Sequence, residues 1–264
     1  SVLCMAACEN LTAFGTSVNK CVTFNNNHGS EAYIQGVLTG HTGAVNGVSF
    51  SSCGNMLATA SSDKTARVWL VVSMRNDDVK FVLRGHTAAV LNVEFAPGNM
   101  LLATGSEDHT VITWSTATGS ALIVLHASYV GPVTSLSFSS KGVLATSSAN
   151  TIKLWRMNKQ PVNTEYDTLR CNNTSTTIAC VKFSKTGDML ACGGEDGTSV
   201  VWTLAKDGDD NSTSIDLCGH AAPVRAISFL QGESSIATCS DDGCVKIWTQ
   251  KGGLLSVWSA ASNT

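Results

Sequence analysis

The chain has 264 residues, of which 43% are apolar and 14% charged, a balance that excludes a disordered chain and suits a protein with a sizeable core. A formal net charge of −3 supplies no long-range attraction for a polyanion, which argues against nucleic acid as the main partner. No apolar run approaches the roughly 18–20 residues that cross a membrane, and the ten cysteines form neither Cys-x-x-Cys pairs nor zinc spacing. No membrane span, metal or cofactor is therefore expected. Reduced, buried thiols in a cytoplasmic or nuclear protein are the expectation, with Cys192 and Cys239 filling small apolar positions inside strands. The sequons at Asn10, Asn172, Asn173 and Asn211 would matter only after secretion. Ser1 in place of an initiating Met leaves room for a longer parent chain.

In chain order, the first unit opens on the strand VLCMA and continues through LTAFGTSVNKCVTFN, ending at Phe24. The second reads VNGVSF, a turn SSCGN, the small-residue strand LATASS, then SSDKTARVW ending at Trp69, and closes with KFVLRG. The third repeats this as LNVEFA, APGN, LATGSE and SEDHTVITW, ending at Trp114. VTSLSF, SSKG and SSANTIKLW carry the fourth unit to Trp155; CVKFS, SKTGD, GEDGTSVVW and IDLCG carry the fifth past Trp202. The sixth runs AISFL, QGES and SDDGCVKIW to Trp248 and ends in LLSVWS. From Phe24 the aromatic anchors follow at intervals of 45, 45, 41, 47 and 46 residues.

Alternation places Val48 with Phe50, and Val93 with Phe95, on one face of a strand. Four short strands per unit with regular turn signals predict an antiparallel sheet. One such sheet cannot bury both faces alone, and radial repetition at this period solves the problem, so the predicted fold is an all-β propeller. Its blades lie at approximately 1–39, 40–84, 85–125, 126–170, 171–218 and 219–264, within a single propeller domain spanning 1–264. Helical repeats are disfavoured because no segment carries a 3.6-residue apolar period.

The Gly-His pairs Gly40-His41, Gly85-His86 and Gly219-His220, with the aspartate-to-tryptophan spacing in register, resemble the WD-repeat family across essentially the whole chain. One departure is plain. The Trp-Asp dipeptide never occurs; Leu70, Ser115, Arg156, Thr203 and Thr249 follow the tryptophans instead. Three units carry one set at identical spacing: His41, Thr59, Asp63 and Trp69; His86, Thr104, Asp108 and Trp114; His220, Thr238, Asp242 and Trp248. The resemblance implies a structural hydrogen-bonded tetrad, and a buried indole N–H does need an acceptor that a hydroxyl can supply. A Thr-His-Asp nucleophile relay is the rival. It is disfavoured because an active site is built once, whereas this set recurs three times, and because no exposed-nucleophile elbow is present. The fifth unit keeps Asp196 and Trp202 but has Cys192 for threonine and Thr174 near the histidine position. The fourth has Asn150 near the aspartate's place with His126 out of register, and the first has no tetrad.

The family resemblance implies that the aspartate turns and the turns after Gly-His share one face, which grips peptides or partner proteins. On it the residues before the aspartates are Ser62, Glu107, Glu195 and Asp241, and the strand entries are Asn46, Leu91, Thr134, Ala179 and Arg225. The candidate binding rim is Arg225, Glu107, Glu195, Asp241, Asn46, Leu91 and Thr134, with Arg225 meeting a carboxylate or phosphate and the acids meeting Lys or Arg. Long loops at 70–80 and 204–214 lie on the opposite face; the second is acidic and reads as solvated.

A non-catalytic protein-interaction scaffold is the expected function, as a subunit of an assembly or a domain of a larger regulatory chain. The alternative is a substrate receptor of a ubiquitin ligase, disfavoured because Trp-Asp-x-Arg is missing from every blade. The six units look complete without a strand exchanged between the termini. Either the ring has six blades, or a longer chain supplies a seventh, the family's commonest count.

Overall fold

A computed structural model describes residues 1–8, 11–25, 33–71, 79–126, 129–157, 164–170, 177–204, 212–230 and 232–259. The architecture is all-β. Six four-stranded antiparallel sheets, the blades of a β-propeller, account for every strand, with no helix among the described residues. The chain divides into two compact units, Ser1–Val133 and Thr134–Thr264.

In the first unit, blade one comprises β1 (Val2–Cys8), β2 (Leu11–Thr16), β3 (Cys21–Asn25) and β4 (Tyr33–Leu38). Blade two comprises β5 (Val45–Phe50), β6 (Met56–Ser61), β7 (Thr65–Leu70) and β8 (Val79–Arg84). Blade three comprises β9 (Val90–Phe95), β10 (Leu101–Ser106), β11 (Val111–Ser115) and β12 (Ala121–Leu125). Blade four comprises β13 (Val133–Phe138), β14 (Val143–Ser148), β15 (Thr151–Arg156) and β16 (Thr164–Arg170). Blade five is β17 (Ile178–Phe183), β18 (Met189–Gly194), β19 (Ser199–Thr203) and β20 (Thr213–Leu217). Blade six is β21 (Val224–Phe229), β22 (Ser235–Ser240), β23 (Cys244–Thr249) and β24 (Leu254–Ser259). Sheet order follows chain order in every blade, so each connection is a simple hairpin.

Burial explains the composition of each strand. The second strand of blade two, MLATAS in β6, is buried at every position, because both faces of the blade are packed there. Small side chains let neighbouring sheets approach closely. Outer strands such as β8 and β12 alternate toward solvent, as expected where one face is wet. The cores run between blades. Ala13, Cys21 and Leu38 of blade one pack with Val45, Val48, Leu57 and Trp69 of blade two. Ala60, Ala66 and Leu83 then pack with Val90, Val93 and Trp114 of blade three. In the second unit, Ile152 and Leu154 meet Ile178, Val181 and Trp202, and Ala191, Val201 and Leu217 meet Ile227, Ile236 and Trp248. Each buried valine, leucine or isoleucine among them contributes roughly 1.5–3 kcal/mol relative to exposure.

Polar clasps join the first turns of successive blades. The Ser52 N–H donates to Asn99 Oδ1 at 2.7 Å, the Thr186 N–H donates to Glu233 Oε1 at 2.9 Å, and Lys141 pairs with Asp188. All nine described cysteines are free thiols. Cys192 is buried inside β18 as expected, but Cys239 in β22 is exposed, which corrects the expectation of a buried thiol there. Residues 72–78 and 205–211 of the long loops, the sequons Asn10, Asn172, Asn173 and Asn211, and Thr174 lie outside the described residues.

Candidate interaction rim and the polar networks beneath it

The two middle strands of blade three bring Thr104 and Trp114 onto one face, and the turn before β9 swings His86 over them. The Trp114 indole N–H donates to Thr104 Oγ1 at 2.9 Å. Thr104 Oγ1 lies 2.8 Å from His86 Nε2, and His86 Nδ1 lies 2.9 Å from Asp108 Oδ2. The carboxylate can only accept, so the imidazole proton sits on Nδ1 and Nε2 accepts from the threonine hydroxyl. Blade two repeats this: Trp69 to Thr59 3.0 Å, Thr59 to His41 2.8 Å, His41 to Asp63 2.8 Å. Blade six does so as well: Trp248 to Thr238 2.8 Å, Thr238 to His220 2.8 Å, His220 to Asp242 2.7 Å. All three histidines and threonines are buried, and each hydroxyl is engaged by its indole, so none of these three hydroxyls faces a cleft as a nucleophile.

Each carboxylate is also tied to backbone. Asp108 accepts from the N–H groups of Thr87 (2.8 Å) and Thr110 (3.0 Å) and from the Thr110 hydroxyl (2.6 Å); Asp63 does the same with Thr42 and Thr65. A serine two places before each aspartate caps the turn from the other side. Ser61, Ser106 and Ser240 donate to Gly43, Ala89 and Ala222 carbonyls at 2.8–2.9 Å, and each accepts from the aspartate's own N–H. These serines, with Thr65 and Thr110, escaped the reading of the sequence, although their fixed offsets from the aspartate were visible in it.

Burial alone would raise the Asp63 and Asp108 pKa values, but the hydroxyls, the histidines and the donated N–H groups outweigh it and bring both to about 2. Asp242 is lowered too, against the pull of burial, by His220 and the Cys244 and Ala221 N–H groups. Burial lowers His41 and His86, against the opposing pull of their aspartates. In every case the folded value lies below the unfolded one, so unfolding takes up protons and stability is lost as pH falls. The expected result is a thermal midpoint that declines as pH drops below about 6.5, and declines further between about pH 4 and 2. Circular dichroism melts at pH 3–8 check this; a midpoint that holds or rises from pH 7 to 5 would contradict it.

The other blades keep fragments. In blade four the Trp155 N–H donates to Thr146 Oγ1 at 3.0 Å. Thr146 lies nine residues before its tryptophan, where the other pairs span ten, so the one-residue-shorter turn hid it. His126 is exposed. In blade five Asp196 accepts from the Thr198 N–H and hydroxyl, beside buried Cys192. In blade one the rings of Phe14 and Phe24 meet edge to face at 5.5 Å, an apolar contact where blades two, three, four and six hold an indole and a hydroxyl.

The rim candidates separate into two kinds. Asn46, Leu91 and Arg225 are the extra residues of β-bulges at the start of β5, β9 and β21, as is Ala179 in β17; a bulge re-aims its side chain and is not legible in alternation. The Asn46 amide donates to Ser62 Oγ and to the Val90 carbonyl, each at 3.0 Å. The Thr134 hydroxyl donates to the Ile178 carbonyl at 2.6 Å. Both side chains thus bridge to the next blade's first strand, and Leu91 is half-buried. Glu107 in the first unit, and Glu195, Arg225 and Asp241 in the second, are exposed. Arg225 is engaged with Asp241: its Nε donates at 2.8 Å and its Nη2 lies 2.7 Å from the same oxygen. That bond, opposed by some burial and assisted by the Asp241 and Glu195 charges, raises its pKa. Among the described residues no cluster of His, Cys, Asp or Glu could hold a metal ion, and no helix is long and apolar enough to cross a membrane.

The family model for WD domain, G-beta repeat matches residues 33–69, 78–115, 119–156, 163–203 and 211–249. The chain belongs to this WD-repeat family. The five matches each end in one of the tryptophan strands of blades two to six, and the first three strands of blade one, with Phe24, fall outside them. Among curated proteins the chain is similar to Protein SPIRRIG of Arabidopsis thaliana, 37% identical over 78 residues, covering 28% of this chain and 2% of that one. It is 29% identical over 87 residues to the SAGA complex/transcription factor TFIID complex subunit Taf5 of Schizosaccharomyces pombe, covering 30% and 14%. Denticleless protein homolog B of Xenopus laevis is 32% identical over 80 residues, covering 30% and 11%. The WD-repeat chain thus spans a small part of the length of these relatives.

Proposed function

We propose that this WD-repeat chain is a non-catalytic interaction scaffold that binds a segment of a partner protein at the rim of its second unit, within an intracellular assembly of the cytoplasm or nucleus. The observation that carries the reading is the exposed group Glu195, Arg225 and Asp241, presented by a turn of blade five and by a bulge and a turn of blade six. With two acids and one base, the group has surplus negative charge for a Lys or Arg of the partner. Arg225, oriented by Asp241, offers its remaining N–H groups to a carboxylate or phosphate. The His220–Asp242 bond and the Ser240 cap fix the turn that carries Asp241, so the group is held rather than ordered on binding. Glu107 is a second acidic contact on the first unit. Taf5 is by its name a subunit of two complexes, which supports assembly membership here, and the free thiols support a reducing compartment.

Affinity capture with the chain and with its Arg225→Glu, Glu107→Lys variant tests the rim. Partners held by the unaltered chain are expected to bind roughly tenfold or more weakly to the variant, since charge reversal at a contact costs on the order of 1.4 kcal/mol or more. An unchanged set of partners at unchanged occupancy would exclude the rim as the binding site.

A further inference from the structure

The first strands of blades one and two, β1 and β5, lie side by side within the first unit, and two thiols of β1 mark the contact. Cys4 Sγ donates to the carbonyl of Val45, at the start of β5, at 3.5 Å. Cys8, the last residue of β1, reaches the turn beyond the other end of β5. Its Sγ lies 3.1 Å from the point where a Cβ on Gly54 would stand. Gly54 belongs to the turn that joins β5 to β6, and its N–H donates to the Ser51 carbonyl at 2.8 Å. With a φ of +69° and no side chain, it leaves the Cys8 thiol against the backbone of the residue next to Cys53.

Of the four cysteines of the first unit, Cys53 is the exposed one; Cys21 is buried, and Cys4 and Cys8 are half-buried. Hydrogen-bonding groups surround its sulfur. Asn99 Nδ2 donates to it at 3.2 Å, and the Ser51 hydroxyl lies 3.5 Å away. As a thiol it donates to Asn55 Oδ1 at 2.8 Å. The Ser51 hydroxyl, and then the Asn55 backbone, hold its pKa below the ordinary thiol value against desolvation. Burial pushes Cys4 up to about 11 and Cys21 up to about 12. Thiolate, the nucleophilic form, is therefore richer at Cys53 than at Cys4 or Cys21 near neutral pH. An accessible thiol with a stabilised thiolate, poised beside a second cysteine, is the arrangement of an oxidisable pair.

We propose that Cys53 is a modification site oxidised by hydrogen peroxide and that Cys8 resolves it, giving a reversible disulfide between β1 of blade one and the first turn of blade two. First the Cys53 thiolate attacks one peroxide oxygen. The O–O bond breaks, the sulfur keeps OH as a sulfenic acid, and hydroxide leaves and is protonated to water. The Cys8 thiolate then attacks the Cys53 sulfur, the S–O bond breaks, and a second hydroxide leaves to become water. Two thiols and one peroxide give one disulfide and two waters, and the peroxide takes the two electrons that the sulfurs lose. A disulfide needs Cα atoms about 4.4–6.8 Å apart, and the Cα of Cys53 stands one step of about 3.8 Å from that of Gly54. Ser52, Cys53 and Asn55 of the turn are exposed, so the Cys53 side chain is able to swing from Asn99 toward Cys8. Oxidation then exchanges the Cys53–Asn99 contact between blades two and three for a covalent tie between blades one and two.

Peptide mapping by mass spectrometry tests this on the folded full chain, first reduced and then treated with hydrogen peroxide. The expected result is a Cys8–Cys53 linked peptide from the monomeric band of a non-reducing gel, lost on addition of dithiothreitol, while Cys4 and Cys21 stay thiols. In Cys8→Ser the Cys53 sulfenic acid is expected to accumulate and to be trapped by dimedone, and Cys53→Ser is expected to leave Cys8 reduced. A sulfenic acid that persists at Cys53 of the unaltered chain without linking to Cys8 would overturn the inference. So would peroxide oxidation that passes Cys53 over, or a Cys53 linked to a different cysteine.

Discussion

Thr104→Val is expected to lower the unfolding free energy by about 2–3 kcal/mol, while Thr104→Ser costs about 1 kcal/mol or less. The threonine hydroxyl accepts from the Trp114 indole at 2.9 Å and donates to His86 Nε2 at 2.8 Å. All three side chains are buried, so water cannot replace the missing oxygen. Valine keeps the shape and removes the oxygen, which strands one donor and one acceptor together. Serine keeps the oxygen and loses a methyl group. Urea denaturation of the three proteins, with slopes compared to confirm that the unfolded state is unchanged, checks this. Equal costs for Val and Ser would show that packing, and not hydrogen bonding, sets the value of this position.

Gly197→Ala should be the more damaging of two matched turn substitutions, costing roughly 2–4 kcal/mol against about 1 kcal/mol for Gly243→Ala. Both glycines follow an aspartate and adopt left-handed φ, +85° and +78°. A Cβ at Gly243 meets nothing within 4 Å, whereas at Gly197 it would lie 2.6 Å from the His220 carbonyl oxygen and 3.0 Å from that of Ala222. Those are backbone atoms, which cannot rotate away as a side-chain end would. Lys64 and His109 hold the same turn position in blades two and three with φ of 70° and 66°, so a side chain is tolerated there where space allows. Equilibrium denaturation of the two variants side by side measures the difference. Equal losses would mean that the turn of blade five does not press on the Gly-His turn of blade six.

Much of the fold was legible because it repeats. Trp69, Trp114, Trp155, Trp202 and Trp248 each lie in a third strand, and the 22-, 4- and 6-residue offsets among histidine, threonine, aspartate and tryptophan mark side chains that lie within hydrogen-bond distance of one another. Fixed offsets translate into fixed geometry when the strands between them have constant length. Where the length changed, the reading failed: the nine-residue Thr146–Trp155 pair was invisible to a ten-residue template. The rim was less legible for a different reason. Residues at bulges obey no alternation, so nothing in sequence separates Asn46, which donates to the next blade, from Arg225, which bonds within its own.

By itself, then, the sequence determined the all-β repeat, the four-strand plan of each unit and the pairing partners of the buried histidines, since all of these are local or follow from spacing along one blade. Tertiary structure alone decided which sheet faces are covered. Ala191 and Val201 of blade five are covered by Ile227 and Ile236 of blade six, and no pattern local to blade five names those neighbours. Whether such a row is core or surface depends on whether another sheet stands about 10 Å away, and that is a property of the neighbour, not of the strand.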